Sequence, residues 1–172
     1  MPATLSRNFN SVSLMGVKKI AIGSAVALVV LAGFLAWNWQ PEKQAGIQTA
    51  HFLQAVERRN WEKVRAYLAT NYTDRWGHDQ ALALEAAEQV FQQFLFLKVE
   101  HEIVSQAANR ATGETRARVK ISGSGGALAQ IAMERVNGLR EPFLFSWKRQ
   151  SWKPWDWQIT RIEQPELEIR EW

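Results

Sequence analysis

The sequence predicts an α+β fold: N-terminal helices packed on a curved antiparallel sheet, the whole preceded by one transmembrane helix. Three observations carry this reading. The run from Ile20 to Trp37 holds eighteen residues without a charge. Apolar residues then recur at close to helical spacing as far as residue 94. From residue 97 onward the apolar period falls to two, the period of a strand with one face buried.

At a rise of about 1.5 Å per residue, the run IAIGSAVALVVLAGFLAW covers most of a hydrocarbon core of about 30 Å. Lys18 and Lys19 stand at its start, and Trp37 and Trp39 at its end, where indole rings favour the headgroup layer. Arg7 also precedes the segment and no acidic residue does, so the positive-inside rule makes residues 1–19 a cytoplasmic tail and residues 20–38 the transmembrane helix. A cleaved signal peptide is the competing reading. The run is too long for one, its Ala25/Ala27 pair lies in the middle of it, and Trp37-Asn38-Trp39 makes a poor cleavage site. The expected location is therefore the cytoplasmic (inner) membrane, crossed once, with the C-terminal domain periplasmic or extracellular. The segment has no ionisable residue and so offers no ion path of its own.

The formal net charge of +4 is largely a property of this anchor. Beyond it, 18 basic residues face 17 acidic ones, a balance that excludes a phosphate-tracking nucleic-acid binder. The absence of cysteine removes a disulfide framework and a thiolate metal site together, leaving packing as the source of stability.

Residues 39–45 read as a polar linker and 46–172 as the folded domain. Ile47, Ala50, Leu53 and Val56 mark a first helix, broken at Arg58-Arg59-Asn60; Trp61, Val64, Tyr67 and Leu68 mark a second, short one. Residues 71–78 form a turn-rich loop, after which Asp79 caps a helix with the stripe Ala83, Ala87, Val90, Phe91 and Phe94. In the next segment Leu97, Val99, His101 and Ile103 share one face of a strand, opposite Lys98, Glu100 and Glu102. Ala117, Val119 and Ile121 alternate with Arg116, Arg118 and Lys120, a basic face suited to an antiparallel partner with an acidic one. Residues 122–126, SGSGG, read as a flexible link. Residues 127–139 carry both a helical stripe and the hairpin signal Asn137-Gly138, and the run ALAQIAMER favours a short helix. Phe143, Phe145 and Trp147, then Trp155, Trp157 and Ile159, form the inward faces of two last strands joined by a turn at 151–154.

The order of these elements, with AVERRNWEKVRAYLATNYTDRWG, FLFLKVEHEIV, GETRARVKIS and WDWQITRIE, resembles the cone-shaped superfamily of ketosteroid isomerase and nuclear transport factor 2, also called SnoaL-like. The resemblance covers about residues 45–165. It implies helices laid on a concave sheet with a pocket at the open end, in a superfamily that spans isomerases, dehydratases, ligand binders and interaction modules. A membrane-anchored version with the domain outside also resembles, in layout, the periplasmic scaffold subunit of type IV secretion systems. The isomerases use a carboxylate base and an oxyanion hole containing a protonated aspartate. The inward positions of the last two strands here carry no carboxyl group.

Candidate proton-transfer residues are His101, placed by alternation on the inward face, and Asp74 in the loop that can rim the cone. Each has a plainer reading, His101 as a hydrogen-bonded core residue and Asp74 as turn chemistry. His51, His78 and His101 share no metal-ligand spacing, so neither metal nor cofactor is expected. Phe143, Phe145, Trp147, Trp155, Trp157, Tyr72 and Trp76 either line a pocket or partner surface, or fill the cone. The expected partners are the bilayer through residues 20–38 and a protein or second copy, with a small apolar ligand as the alternative. The reading is thus a membrane-anchored interaction module, set against a small-molecule binder or an isomerase/dehydratase-type enzyme. On this topology, protease added to intact spheroplasts removes the domain and leaves a small protected fragment. A mature chain beginning near residues 38–46 would identify a signal peptide instead.

Overall fold

The computed structural model describes residues 28–31, 33 and 40–167. They fall into two units, one within residues 1–39 and one from Gln40 onward. In the first unit residues 28–31 and 33 are helical, with Leu28, Val29, Val30 and Leu31 exposed. Among the described residues no helix is long and apolar enough to cross a membrane. The tail expected over 1–19 and the rest of the segment expected over 20–38 lie outside the described residues.

In the second unit helix α1 runs over Pro41–Glu57. The expected linker is therefore shorter: Pro41 starts the helix, where its fixed φ suits the first turn and its missing N–H costs nothing. The buried face is also rotated from the expected one. Ile47 is 37% exposed, whereas Ala45, Gln48, Thr49, Phe52 and Val56 are buried. Small and polar residues in the first half of α1 turn inward because the sheet lies close beneath them. After the helix, Arg59 takes a left-handed backbone (φ 53°), a conformation that costs a side-chain-bearing residue about 1–2 kcal/mol. Its guanidinium donates to the Phe94 carbonyl at 2.6 Å, and the bend delivers Asn60, which caps α2 (Trp61–Tyr67) by accepting from the Lys63 N–H.

Asp79 caps α3 (Gln80–Phe91) through the Leu82 N–H, as expected from the sequence. Phe94, expected at the end of the helical stripe, is instead the first residue of β1 (Phe94–Ala108) and is 1% exposed. β1 pairs antiparallel with β2 (Thr112–Gly125), with Glu100 opposite Lys120 and Glu102 opposite Arg118 on the outer face. The 122–126 segment is not a flexible link: β2 continues through Gly125, where glycine lets two backbones meet. A Cβ at Gly123 would lie 2.1 Å from the Phe96 carbonyl oxygen, and one at Gly125 2.2 Å from that of Gln93.

Helix α4 (Ala127–Asn137) follows, then β3 (Phe143–Arg149) and β4 (Trp157–Glu163). The sheet order is β1-β2-β3-β4, antiparallel throughout. β3 pairs with β2 only along Thr112–Ala117, so the two strands part beyond that point. There the Asn137 side chain stands in for a strand, donating to the Ile121 carbonyl at 2.8 Å and accepting from its N–H at 2.9 Å. Trp155 was expected on the inner face of the last strand. It is 60% exposed, because the turn between β3 and β4 runs to residue 156 and is held by buried Pro154, whose carbonyl accepts from the Trp157 indole at 2.8 Å.

The core lies between α1, α2 and the inner face of the sheet, with Phe52, Val64, Leu97, Phe145, Trp147 and Ile159 among its buried residues. Truncating Phe145 or Trp157 to Ala is expected to cost about 3–5 kcal/mol, whereas Trp152→Ala, at a ring 77% exposed, costs less than about 0.5 kcal/mol. Denaturant unfolding of the three variants checks this, and equal losses would contradict the strand register.

Candidate functional site

The inner wall of the sheet is built from alternate residues of β2 and β3. Gly113 pairs with Trp147, Thr115 with Phe145 and Ala117 with Phe143, all on the face toward α1. Aromatic rings from both layers then meet edge to face. Phe52 of α1 lies 6.0 Å from Phe145 and 6.0 Å from Tyr67, and Tyr67 lies 6.4 Å from Trp147, with centroid geometries typical of favourable ring pairs. Phe143 extends the chain of rings, 6.3 Å from Phe145. The interior of the cone is thus occupied by protein side chains.

Two polar atoms in this wall have no partner. Thr115 Oγ1 and Trp147 Nε1 are fully buried without a hydrogen bond, on residues no more than 1% exposed. Each such group carries a desolvation cost of about 1–3 kcal/mol unless something small and polar meets it. Across from them α1 contributes buried Gln48 and Thr49, the latter donating to the Ala45 carbonyl at 2.9 Å. Thr115 was not singled out from the sequence, although continuing the alternation of Ile121, Val119 and Ala117 backward reaches it directly.

His101 keeps its expected register, opposite Val119 and on the side of Leu97 and Val99, but it is exposed. Along this face Leu97 and Val99 are buried, His101 is exposed and Ile103 is half-buried. Asp74 is buried and spends its carboxylate on its own loop: Oδ1 accepts from the Trp76 and His78 N–H groups at 2.9 and 2.8 Å, and Oδ2 meets His78 Nδ1 at 2.8 Å. The same loop latches the chain after β4. The Trp76 indole donates to the Leu167 carbonyl at 2.8 Å, and the Thr73 N–H to the Thr160 carbonyl at 3.1 Å. Asp74 therefore sits beside β4 and His101 on β1, the two edges of the sheet. Of the remaining aromatics, Tyr72, Phe145, Trp147 and Trp157 are buried, Trp76 and Phe143 are half-buried, and Trp155 points away from the interior.

Where β2 and β3 part, a shallow groove of about 30 Å³ opens between Arg118, Lys120, Asn137, Leu139 and Phe143. That is space on the scale of a water molecule. Among the described residues no three His, Asp or Glu side chains converge as a metal site would require.

Burial holds the phenol of Tyr72 well above its ordinary pKa of 10.0, and the Asp74 carboxylate raises it further. Burial raises that of Tyr67 as well. A folded-state pKa raised in this way leaves stability intact below the unfolded value and removes it as pH climbs beyond, because the unfolded chain releases the proton first. The unfolding free energy is expected to be insensitive to these groups below pH 10 and to fall above it, with Tyr72→Phe removing much of the fall. Denaturant midpoints measured across that range for both proteins check this.

No protein-family model matches the sequence, and no curated protein matches it. Solved structures do. A conserved protein from Planctomyces limnophilus superposes with a TM-score of 0.54 at 16% identity, over 72% of this chain and 93% of that one. An NTF2-like protein of unknown function from Pseudomonas putida gives 0.52 at 11% identity, over 71% and 83%. A candidate dehydratase of the NTF2-like family from Streptomyces avermitilis gives 0.53 at 11%, over 72% and 93%. At such identities the likeness establishes fold alone: helices on a four-stranded antiparallel sheet, in the manner of the NTF2-like proteins.

Proposed function

We propose that the chain is a membrane-tethered interaction module, its folded domain held outside the cytoplasm by residues 20–38 and working by contact with a protein partner. The observation that carries this reading is the occupied interior. Phe52, Tyr67, Phe145 and Trp147 pack ring against ring between α1, α2 and the sheet, and the two candidate proton-transfer groups, His101 and Asp74, lie on β1 and beside β4. The surface also supports it. Leu95 is 88% exposed and is joined by exposed Phe96 and Leu128 at the end of the sheet where β1 begins, more apolar area than water alone would favour. A tether raises the local concentration of such a domain near membrane-bound partners and makes a weak contact effective.

The second reading, a small-molecule binder or isomerase/dehydratase-type enzyme, is favoured by Thr115 Oγ1 and Trp147 Nε1. Each is a buried polar group that a polar guest atom would satisfy. The two readings separate by substitution in the cell. On the interaction reading His101→Gln and Thr115→Val preserve folding and function, while the domain exported without residues 1–39 loses function. Full rescue by the untethered domain, together with failure of a folded Thr115→Val or His101→Gln protein, would transfer the role to the cone interior.

A further inference from the structure

We propose that the end of the domain at which the chain enters it docks on an anionic phospholipid bilayer, with Trp152 and Trp155 seated in the headgroup layer. The inference rests on the tethered reading above and deepens it by giving the domain a second hold on the membrane. Three segments meet at this end. α1 begins at Pro41, and its Ala45 packs on Gly113, where a Cβ would lie 3.4 Å away. Gly113 follows the β1–β2 turn at 109–111, and the Ala111 carbonyl accepts from the Arg149 N–H at 2.8 Å, which brings in the β3–β4 turn at 150–156.

That last turn is a built structure. The Gln150 N–H closes it on the Asp156 carbonyl at 2.9 Å. Arg149 binds the Lys153 carbonyl at 3.1 Å and the Trp152 carbonyl as well, and Pro154 is buried beneath the Trp157 indole bond. The frame holds two large rings outward, Trp152 at 77% and Trp155 at 60% exposed. Around them the charge is one-sided. On this turn and the adjoining strand ends Arg110, Lys148, Arg149 and Lys153 stand against Glu114 and Asp156, in a chain that is otherwise near balance beyond residue 19. Indole rings beside basic residues fit the interface of a bilayer, where the rings take the headgroup layer and the cations meet lipid phosphate. The domain begins at Gln40, two residues in sequence beyond the span expected over 20–38.

The native chain has no cysteine, so single labels are unambiguous. Full-length Gln150→Cys and Gln130→Cys proteins, the latter exposed on α4 at the opposite end of the sheet, are labelled with an environment-sensitive fluorophore. They are reconstituted in phosphatidylcholine vesicles with and without phosphatidylglycerol, and quenched by a lipid carrying a headgroup-level spin label. Flotation in alkaline carbonate scores the tether separately. The expected result is flotation of both proteins, with quenching at residue 150 at least about twofold greater than at 130 in the anionic vesicles. That excess falls by about half or more with Trp152→Ser/Trp155→Ser or with Lys148→Glu/Lys153→Glu, substitutions at exposed positions whose folding circular dichroism confirms. A chain that floats but is quenched equally at the two positions, or whose excess survives both double substitutions, overturns the docking and leaves the tether standing. A chain that does not float overturns both.

Discussion

Everything in this domain depends on how closely α1 can approach the sheet. The helix lies antiparallel to β1 and is held at both ends by different means. At its start small residues meet the sheet: Gly46 faces the Gln106 side chain, and Ala45 rests on Gly113. At its end polar bonds take over. Glu57 accepts from the Val99 N–H at 2.9 Å, and Arg59 reaches the Phe94 carbonyl. Between these fixed points the helix and the sheet enclose one layer of side chains, so large rings from one wall must pass between those of the other.

That spacing explains the interior. Phe52, Tyr67, Phe145 and Trp147 interlock at centroid distances of 6.0 to 6.4 Å, which gives dense packing and leaves little room for a guest. It also explains the unpartnered Thr115 hydroxyl and Trp147 indole, groups drawn into the wall by strand alternation and sealed there by their neighbours. The surface carries exposed apolar residues where β1 begins and exposed indoles on the β3–β4 turn.

Much of the fold was legible because its signals are local. Asp79 caps α3 because its carboxylate needs only the Leu82 N–H three residues on, and the acidic and basic faces of β1 and β2 pair because alternation fixes both. Local pattern misleads where a distant partner decides. The inward face of α1 is chosen by the sheet, which takes Gln48 and Thr49 and leaves Ile47 outside. The glycines of 122–126 look like a linker in sequence, and only the approach of the Phe96 and Gln93 carbonyls makes them the end of a strand. Trp155 fits the alternation of β4 but falls in a turn, because Pro154 and Trp157 close that turn by a bond between them.

The candidate site was legible as a set of residue types and not as an arrangement. Sequence alone determined that Phe145, Trp147 and Trp157 face the core, that the last strands bring no carboxyl group inward, and that an uncharged segment precedes the domain, since each follows from period and composition. Only the tertiary structure decided that His101 is exposed, that Asp74 serves its own loop, and that the two stand at opposite edges of the sheet. Alternation states which side of a strand a residue occupies but not how far along it the covering layer extends. That is decided by packing between segments some fifty residues apart, which no local pattern encodes.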